Sequence, residues 1–241
     1  SNRQSLRCMG ARADDRGDFS SVPGYRRYPV AVKPSTSLCS FTERYAEIES
    51  GARIEDEPCV VVGRIVSKRD AGKKLSFMDI IQDGTRVQVL SEEAFYVGVP
   101  EDETDATPRQ QFRAMHRTLR RGDVIAVEGF PGKSGKGELS VIPRRVHLLA
   151  PCAHNLPEAL DDPDTRYRQR YLDLLVNPRV RLVARARAKM VGFLRSYLDE
   201  DGFVEVETPI LTALAGGASA RPFSTRSLAL DADLQLRIAP E

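Results

Sequence analysis

The side chains that could do chemistry in this sequence are, first, its clustered cations. Arginines and lysines concentrate in residues 64–74, 117–121 and 166–187. Net charge is only +2, so composition alone does not point to nucleic acid. A local cluster can still build a phosphate-binding face on a nearly neutral protein. The competing reading of each cluster is a solvated face of a helix or strand. A second candidate is the glycine-rich string GFPGKSGKG, residues 129–137. The interval from Gly132 to Gly137 fits a phosphate-cradling P-loop, but Glu138 stands where that loop needs lysine. A hairpin turn over 131–137 is the better expectation. The four cysteines, Cys8, Cys39, Cys59 and Cys152, form no CxxC pair. No structural metal site and no disulfide framework are expected from such spacing, and a reducing compartment fits it.

These groups must be held by ordered elements. The hydrophobic fraction of 41% suits a globular chain, and no long apolar run predicts a membrane span. Residues 1–24 are polar and aperiodic and are expected to be disordered; they lack the apolar stretch of a secretory signal. Within a helical lead-in, 25–54, a short helix is expected over 42–48. Strands are expected over 57–68, 75–81, 86–90, 123–130 and 138–149, with Asp83–Gly84 as a hairpin turn. A helix over 109–119 separates the third strand from the fourth. Three strands, a helical connection and two more strands match the five-stranded OB barrel, placed over 55–150. A proline- and aspartate-rich linker, 151–165, follows. Beyond it, in 166–241, one long helix is expected over 178–201, ended by Gly202, and then a short strand over 203–207.

Several strings taken in order resemble one family. TRYRQRYLDLLVN (165–177), GFVEVETPIL (202–211), AGGASARPF (215–223) and LRIAPE (236–241) look like the entry to, and motif 1 of, a class II lysyl-tRNA synthetase. Upstream, VGRIVSKRDAGKKLSFMDI (62–80) and GFPGKSGKGELSVIP (129–143) resemble that family's anticodon-binding domain, in a form closest to the eukaryotic cytosolic type. The resemblance runs from Tyr25 to Glu241. The aspartyl and asparaginyl enzymes are near relatives; the GGASARPF string favours lysine over them. The implied fold is α+β, an OB barrel followed by the start of an antiparallel class II catalytic domain.

The resemblance also implies a function, lysine–tRNA ligation with ATP and Mg2+, in a cytoplasmic homodimer with no membrane partner. In the family, positions matching Phe77, Gln88 and Glu138 recognise the central uridine of the tRNA(Lys) anticodon. Stacking on Phe77, a two-sided amide at Gln88 and an acceptor at Glu138 suit a uracil edge. Arg64, Lys68 and Arg69 would hold phosphates or flanking bases. Without the resemblance, Phe77 reads as core, and Gln88 and Glu138 as solvated strand residues. Gly217 and Glu241 match positions that contact the lysine substrate, and Pro209 is the hinge of the dimer-forming motif 1. The family's ATP-binding arginines, in motifs 2 and 3, would lie beyond Glu241. The expectation for these 241 residues alone is therefore RNA binding without adenylate formation. A tRNA-binding module is the alternative from another functional class.

Overall fold

A computed structural model describes residues 32–99, 104–154 and 156–240. The expected disordered segment 1–24, residues 100–103 of the acidic insertion and the candidate Glu241 lie outside the described residues. The chain divides into two compact units, 1–178 and 179–241.

The first unit is built on five strands, β1 (Cys59–Asp70), β2 (Leu75–Gln82), β3 (Thr85–Glu92), β4 (Val124–Lys133) and β5 (Leu139–Ala150). They close into a barrel in the order β1-β2-β3-β5-β4, with β4 pairing back onto β1. All pairings are antiparallel except β3–β5, where Gln88 and Val89 lie beside Ser140 and Val141. This is the five-stranded OB barrel that the strand count anticipates. Closure depends on β1: residues 59–64 pair with β4 and residues 64–70 with β2, with a register shift between Ile65 and Ser67. A bulge of this kind bends a strand enough for it to serve two neighbours.

Period-two alternation sends Val61 and Ile65 of β1, Met78 and Ile80 of β2, and Val87 and Val89 of β3 into one core. Asp83 and Gly84 both take positive φ, 52° and 95°, as a two-residue hairpin turn requires. Helix α1 (Leu38–Arg44) starts earlier than the expected 42–48, because Ser37 and not Ser40 is its cap: the Ser37 hydroxyl accepts from the Ser40 N–H at 3.0 Å. Leu38 and Phe41 are fully buried in the barrel core, so the lead-in helix is part of that core. Helix α2 (Pro108–Thr118) opens with a capping box between Thr107 and Gln110 and buries Phe112 and Met115 in the same core.

The expected turn over 131–137 is shorter than its glycines suggest. Pro131 and Gly132 pair with Val141 and Ser140, and β4 runs to Lys133. Proline has no N–H to leave unpaired, and its carbonyl accepts from Ile54 at 3.0 Å. Two short helices, α3 (Pro163–Arg168) and α4 (Arg170–Val176), also stand where no regular element is expected. They are tied together by Asp173, which is fully buried and accepts from Arg166, Arg170 and Asn177.

The second unit holds α5 (Pro178–Glu200), apart from its first residue, and a three-stranded sheet, β6 (Leu211–Thr212), β7 (Ser224–Ser227) and β8 (Ala232–Leu236), ordered β6-β8-β7. Helix α5 matches its expected span. Its end is closed by Gly202 N–H to Asp199 O (3.0 Å) and Phe203 N–H to Leu198 O (2.9 Å). The expected strand over 203–207 does not form: these residues pair with no strand among the described residues. Alternating apolar and acidic residues supply the pattern of a strand, but a strand also needs a neighbour to hydrogen-bond to.

Candidate nucleic-acid interface

The barrel wall has an outward face as ordered as its inward one. Where β2 sends Met78 and Ile80 inward, Phe77 and Asp79 point outward; where β3 sends Val87 and Val89 inward, Gln88 and Leu90 point outward. On that outer face Leu90, Phe130 and Ile142 form a second apolar cluster, with Leu75, Phe77 and Phe95 packed against it. Three of its rings carry arginines. Arg69 lies over Phe77 at 5.0 Å, Arg53 over Phe95 at 4.5 Å and Arg144 over Phe130 at 5.4 Å. Arg53 and Arg144 are also ion-paired, with Glu92 (2.6 Å) and Glu55 (3.0 Å). Arg69 has no carboxylate partner among the described residues, so its charge stays available to a phosphate.

Beside this aromatic patch is a polar one. Gln88 donates from Nε2 to Glu138 Oε2 at 2.7 Å, and Ser140 donates from Oγ to Gln88 Oε1 at 3.0 Å. The parallel β3–β5 pairing, which sets Gln88 opposite Ser140, brings them together across 50 residues of chain. In the β2–β3 register Phe77 faces Leu90 and Asp79 faces Gln88, so Phe77 and Gln88 are diagonal neighbours on one face. Such neighbours are about 7–8 Å apart, within the span of a single nucleobase contacting both. The arrangement offers an aromatic stacking face, a cation, an amide with both donor and acceptor, and a carboxylate acceptor. These are the groups that bind an unstacked base by its face and its edge.

The structure sorts the three candidate cations. Arg69 pairs with Phe77 across β1–β2 and sits on its ring. Arg64 pairs with Ile81 and donates from Nη1 to Gly122 O at 2.6 Å. Ile81 is four residues from Phe77, about 13 Å along the strand. Lys68 turns inward: its side chain is 15% exposed, and its ammonium donates to the carbonyls of His116 and Leu119 at the end of α2. A cation there satisfies carbonyls that the helix leaves unpaired. Lys68 thus caps the helix, and its ammonium also lies 3.4 Å from a carboxylate oxygen of Asp70. The sequence left Ser140 unmarked, although it stands two positions after Glu138, at the start of β5.

In the second unit Gly217 has φ 85° in an exposed loop. Pro209 is exposed, in a segment strapped by Arg237, whose Nη1 donates to Thr208 O (2.9 Å) and whose N–H donates to Ile210 O (3.0 Å). Helix α5 exposes much of its apolar stripe, with Leu182 65%, Met190 61% and Phe193 66% exposed.

Comparison with known proteins matches the chain in two separate stretches. Residues 59–149 match the family described as OB-fold nucleic acid binding domain, and residues 162–241 match tRNA synthetases class II (D, K and N). Similar curated proteins include the lysine–tRNA ligase cla4 of Cladosporium cladosporioides, 41% identical over 222 residues, 89% of this chain and 35% of the relative. The lysine–tRNA ligase of Kineococcus radiotolerans is 42% identical over 94% of this chain and 43% of its own length. That of Magnetococcus marinus is 36% identical over 90% and 42%. The chain spans less than half the length of these relatives. On these matches residues 162–241 are similar to the class II tRNA synthetases of the D, K and N group, and residues 59–149, ahead of them, to OB-fold nucleic acid binding domains.

Proposed function

We propose that this chain takes part in lysine–tRNA ligation, in which lysine is activated with ATP and transferred to tRNA(Lys), with the barrel binding the anticodon. The observation that carries the reading is the outward face of β2, β3 and β5, where Phe77 under Arg69 lies beside the Gln88–Glu138 pair. A uridine stacked on Phe77 would present its ring N–H to the Glu138 carboxylate and its carbonyls to Gln88. A cytosine at the same place would turn a ring acceptor toward that carboxylate, which repels it. The names of the relatives supply the amino acid; the barrel supplies the RNA chemistry.

On this reading the second unit contributes Pro209 and motif 1 to a homodimer, Gly217 and Glu241 approach the lysine substrate, and the protein works in the cytoplasm. No helix among the described residues is long and apolar enough to cross a membrane. ATP is a substrate of the reaction and Mg2+ accompanies its phosphates. The contribution derived for these residues is RNA binding, carried by the face of Phe77, Arg69, Gln88 and Glu138. The test is a fluorescence titration of the chain with a lysine-tRNA anticodon stem-loop, beside stem-loops altered only at the central base. Tighter binding of the uridine form is expected. Equal affinity for all of them would sink the reading.

A further inference from the structure

We infer that Ser140 is a specificity-determining positioning residue, one that touches no RNA and acts by immobilising Gln88. The inference rests on the anticodon-binding reading above and deepens it.

Gln88 is a half-exposed strand residue with a flexible side chain. Left alone, its amide would turn freely and present either its N–H donors or its carbonyl to an incoming base. In this protein both ends are taken. The Glu138 carboxylate, which can only accept, binds Nε2 at 2.7 Å, and the Ser140 hydroxyl donates to Oε1 at 3.0 Å. Ser140 is fully buried in β5, so its own position is fixed by the barrel wall. Its other acceptor within reach, the Glu138 carbonyl at 3.1 Å, already receives the Ser134 N–H at 2.9 Å. The Ser140 proton is therefore not needed there and can remain on the amide.

The two partners of Gln88 differ in what binding does to them. Glu138 is exposed and must turn toward the ring N–H of an arriving uridine, which weakens its hold on Gln88. Ser140 faces no solvent and cannot turn to the base, so its bond survives the exchange. Gln88 then keeps one N–H and one carbonyl lone pair in place for the uracil edge, and the ordering of that side chain is complete before the base arrives. Without Ser140, the amide released by Glu138 can swing to meet a cytosine with its opposite end. Ser140 thus contributes to affinity for uridine and to rejection of cytidine, both through Gln88.

The experiment uses the 241-residue chain and two 17-nucleotide stem-loops differing only in uridine or cytidine at the centre of the loop. Four proteins are titrated: wild type, Ser140→Ala, Gln88→Ala and the double variant. In Ser140→Ala, affinity for the uridine loop should fall about three- to tenfold, the effect of one neutral hydrogen bond. Affinity for the cytidine loop should hold level or rise, so the ratio narrows. In the Gln88→Ala background, Ser140→Ala should have no further effect on that ratio. A purely structural serine would weaken both loops equally and act independently of Gln88; either result, or an unchanged ratio in Ser140→Ala, overturns the inference. A parallel titration of Phe77→Ala separates the two levels. If Phe77→Ala binds as tightly as wild type, the binding face itself is misassigned. If Phe77→Ala weakens binding while Ser140→Ala leaves the ratio intact, only the role of Ser140 fails.

Discussion

Phe77 packs on the Leu90–Phe130–Ile142 cluster and carries Arg69 over its ring. An aromatic side chain held in this way loses little freedom when a base stacks on it. Phe77→Ala should weaken binding of the anticodon stem-loop by about 1–3 kcal/mol, the usual loss of one base–aromatic stack. Arg69→Ala should act differently. Of the three arginines on this face it is the one with no carboxylate partner among the described residues, so the slope of log affinity against log salt should fall by about one. Arg64→Ala should leave the slope nearly unchanged, because that guanidinium is engaged with the Gly122 carbonyl. Titrations at several salt concentrations check all three. Equal slopes for wild type and Arg69→Ala would show that this arginine meets no phosphate.

Two elements can be tested through one residue each. In β4 the register shifts between Glu128 and Gly129, and there the strand comes so close to β5 that a Cβ on Gly129 would lie 2.0 Å from the Ile142 carbonyl oxygen. That atom is backbone and cannot move aside cheaply. Gly129→Ala should destabilise the barrel by about 3 kcal/mol or more, read as a lowered urea midpoint. In α2, His116 is buried beside the Lys68 ammonium, packs tilted against Phe112 with ring centroids 4.2 Å apart and shares a 2.8 Å hydrogen bond with Ser91. Burial first, then the charge of Lys68, pushes its pKa down to about 4 from an ordinary 6.5. The folded state therefore holds His116 neutral while the unfolded chain takes up a proton below pH 6.5. Stability from this group is complete above pH 6.5 and is lost as pH falls toward 4, by up to about 3 kcal/mol. His116→Gln cannot charge, so its unfolding midpoint should drop less than that of wild type between pH 7 and 5. Identical pH slopes would mean that His116 is not the group responsible.

At the scale of the whole molecule, the barrel depends on a helix outside its strands. Leu38, Phe41 and Tyr45 are buried in the same core as β1–β5, and the Leu38 N–H donates to Gln82 Oε1 at 3.1 Å. Burying three such side chains contributes on the order of 5–8 kcal/mol, comparable with the total stability of a small domain. At the other end, Arg121 donates to the carbonyls of Leu156 and Pro157. A polypeptide of residues 32–158 should therefore melt cooperatively, whereas one of residues 55–150 should be largely unfolded at the same temperature by circular dichroism. Equal stability of the two would show that α1 only decorates the barrel. In the second unit the exposed stripe of α5, with Phe193 stacked on Tyr197 at 6.1 Å, should drive concentration-dependent self-association of the 241-residue chain in sedimentation experiments.

The sequence by itself determined the barrel strands, because alternation along β1–β3 and the Asp83–Gly84 turn are local signals with fixed periods. It likewise marked α5, whose apolar spacing and terminal Gly202 lie within one stretch of chain. It also carried the resemblance to the lysyl-tRNA synthetase family, through strings that read in order. What only the tertiary structure decided is which side chains share a face. Lys68 and Arg69 are adjacent in sequence, yet one reaches a helix end 48 residues away and the other lies on Phe77. Long cationic side chains go wherever an unpaired carbonyl or a ring is within reach, and that depends on how the chain returns. The apparent strand over 203–207 failed for the same reason, since alternation is local but a pairing partner is not. Gln88, Glu138 and Ser140 meet only because β5 returns parallel to β3, and no spacing along the sequence encodes that return.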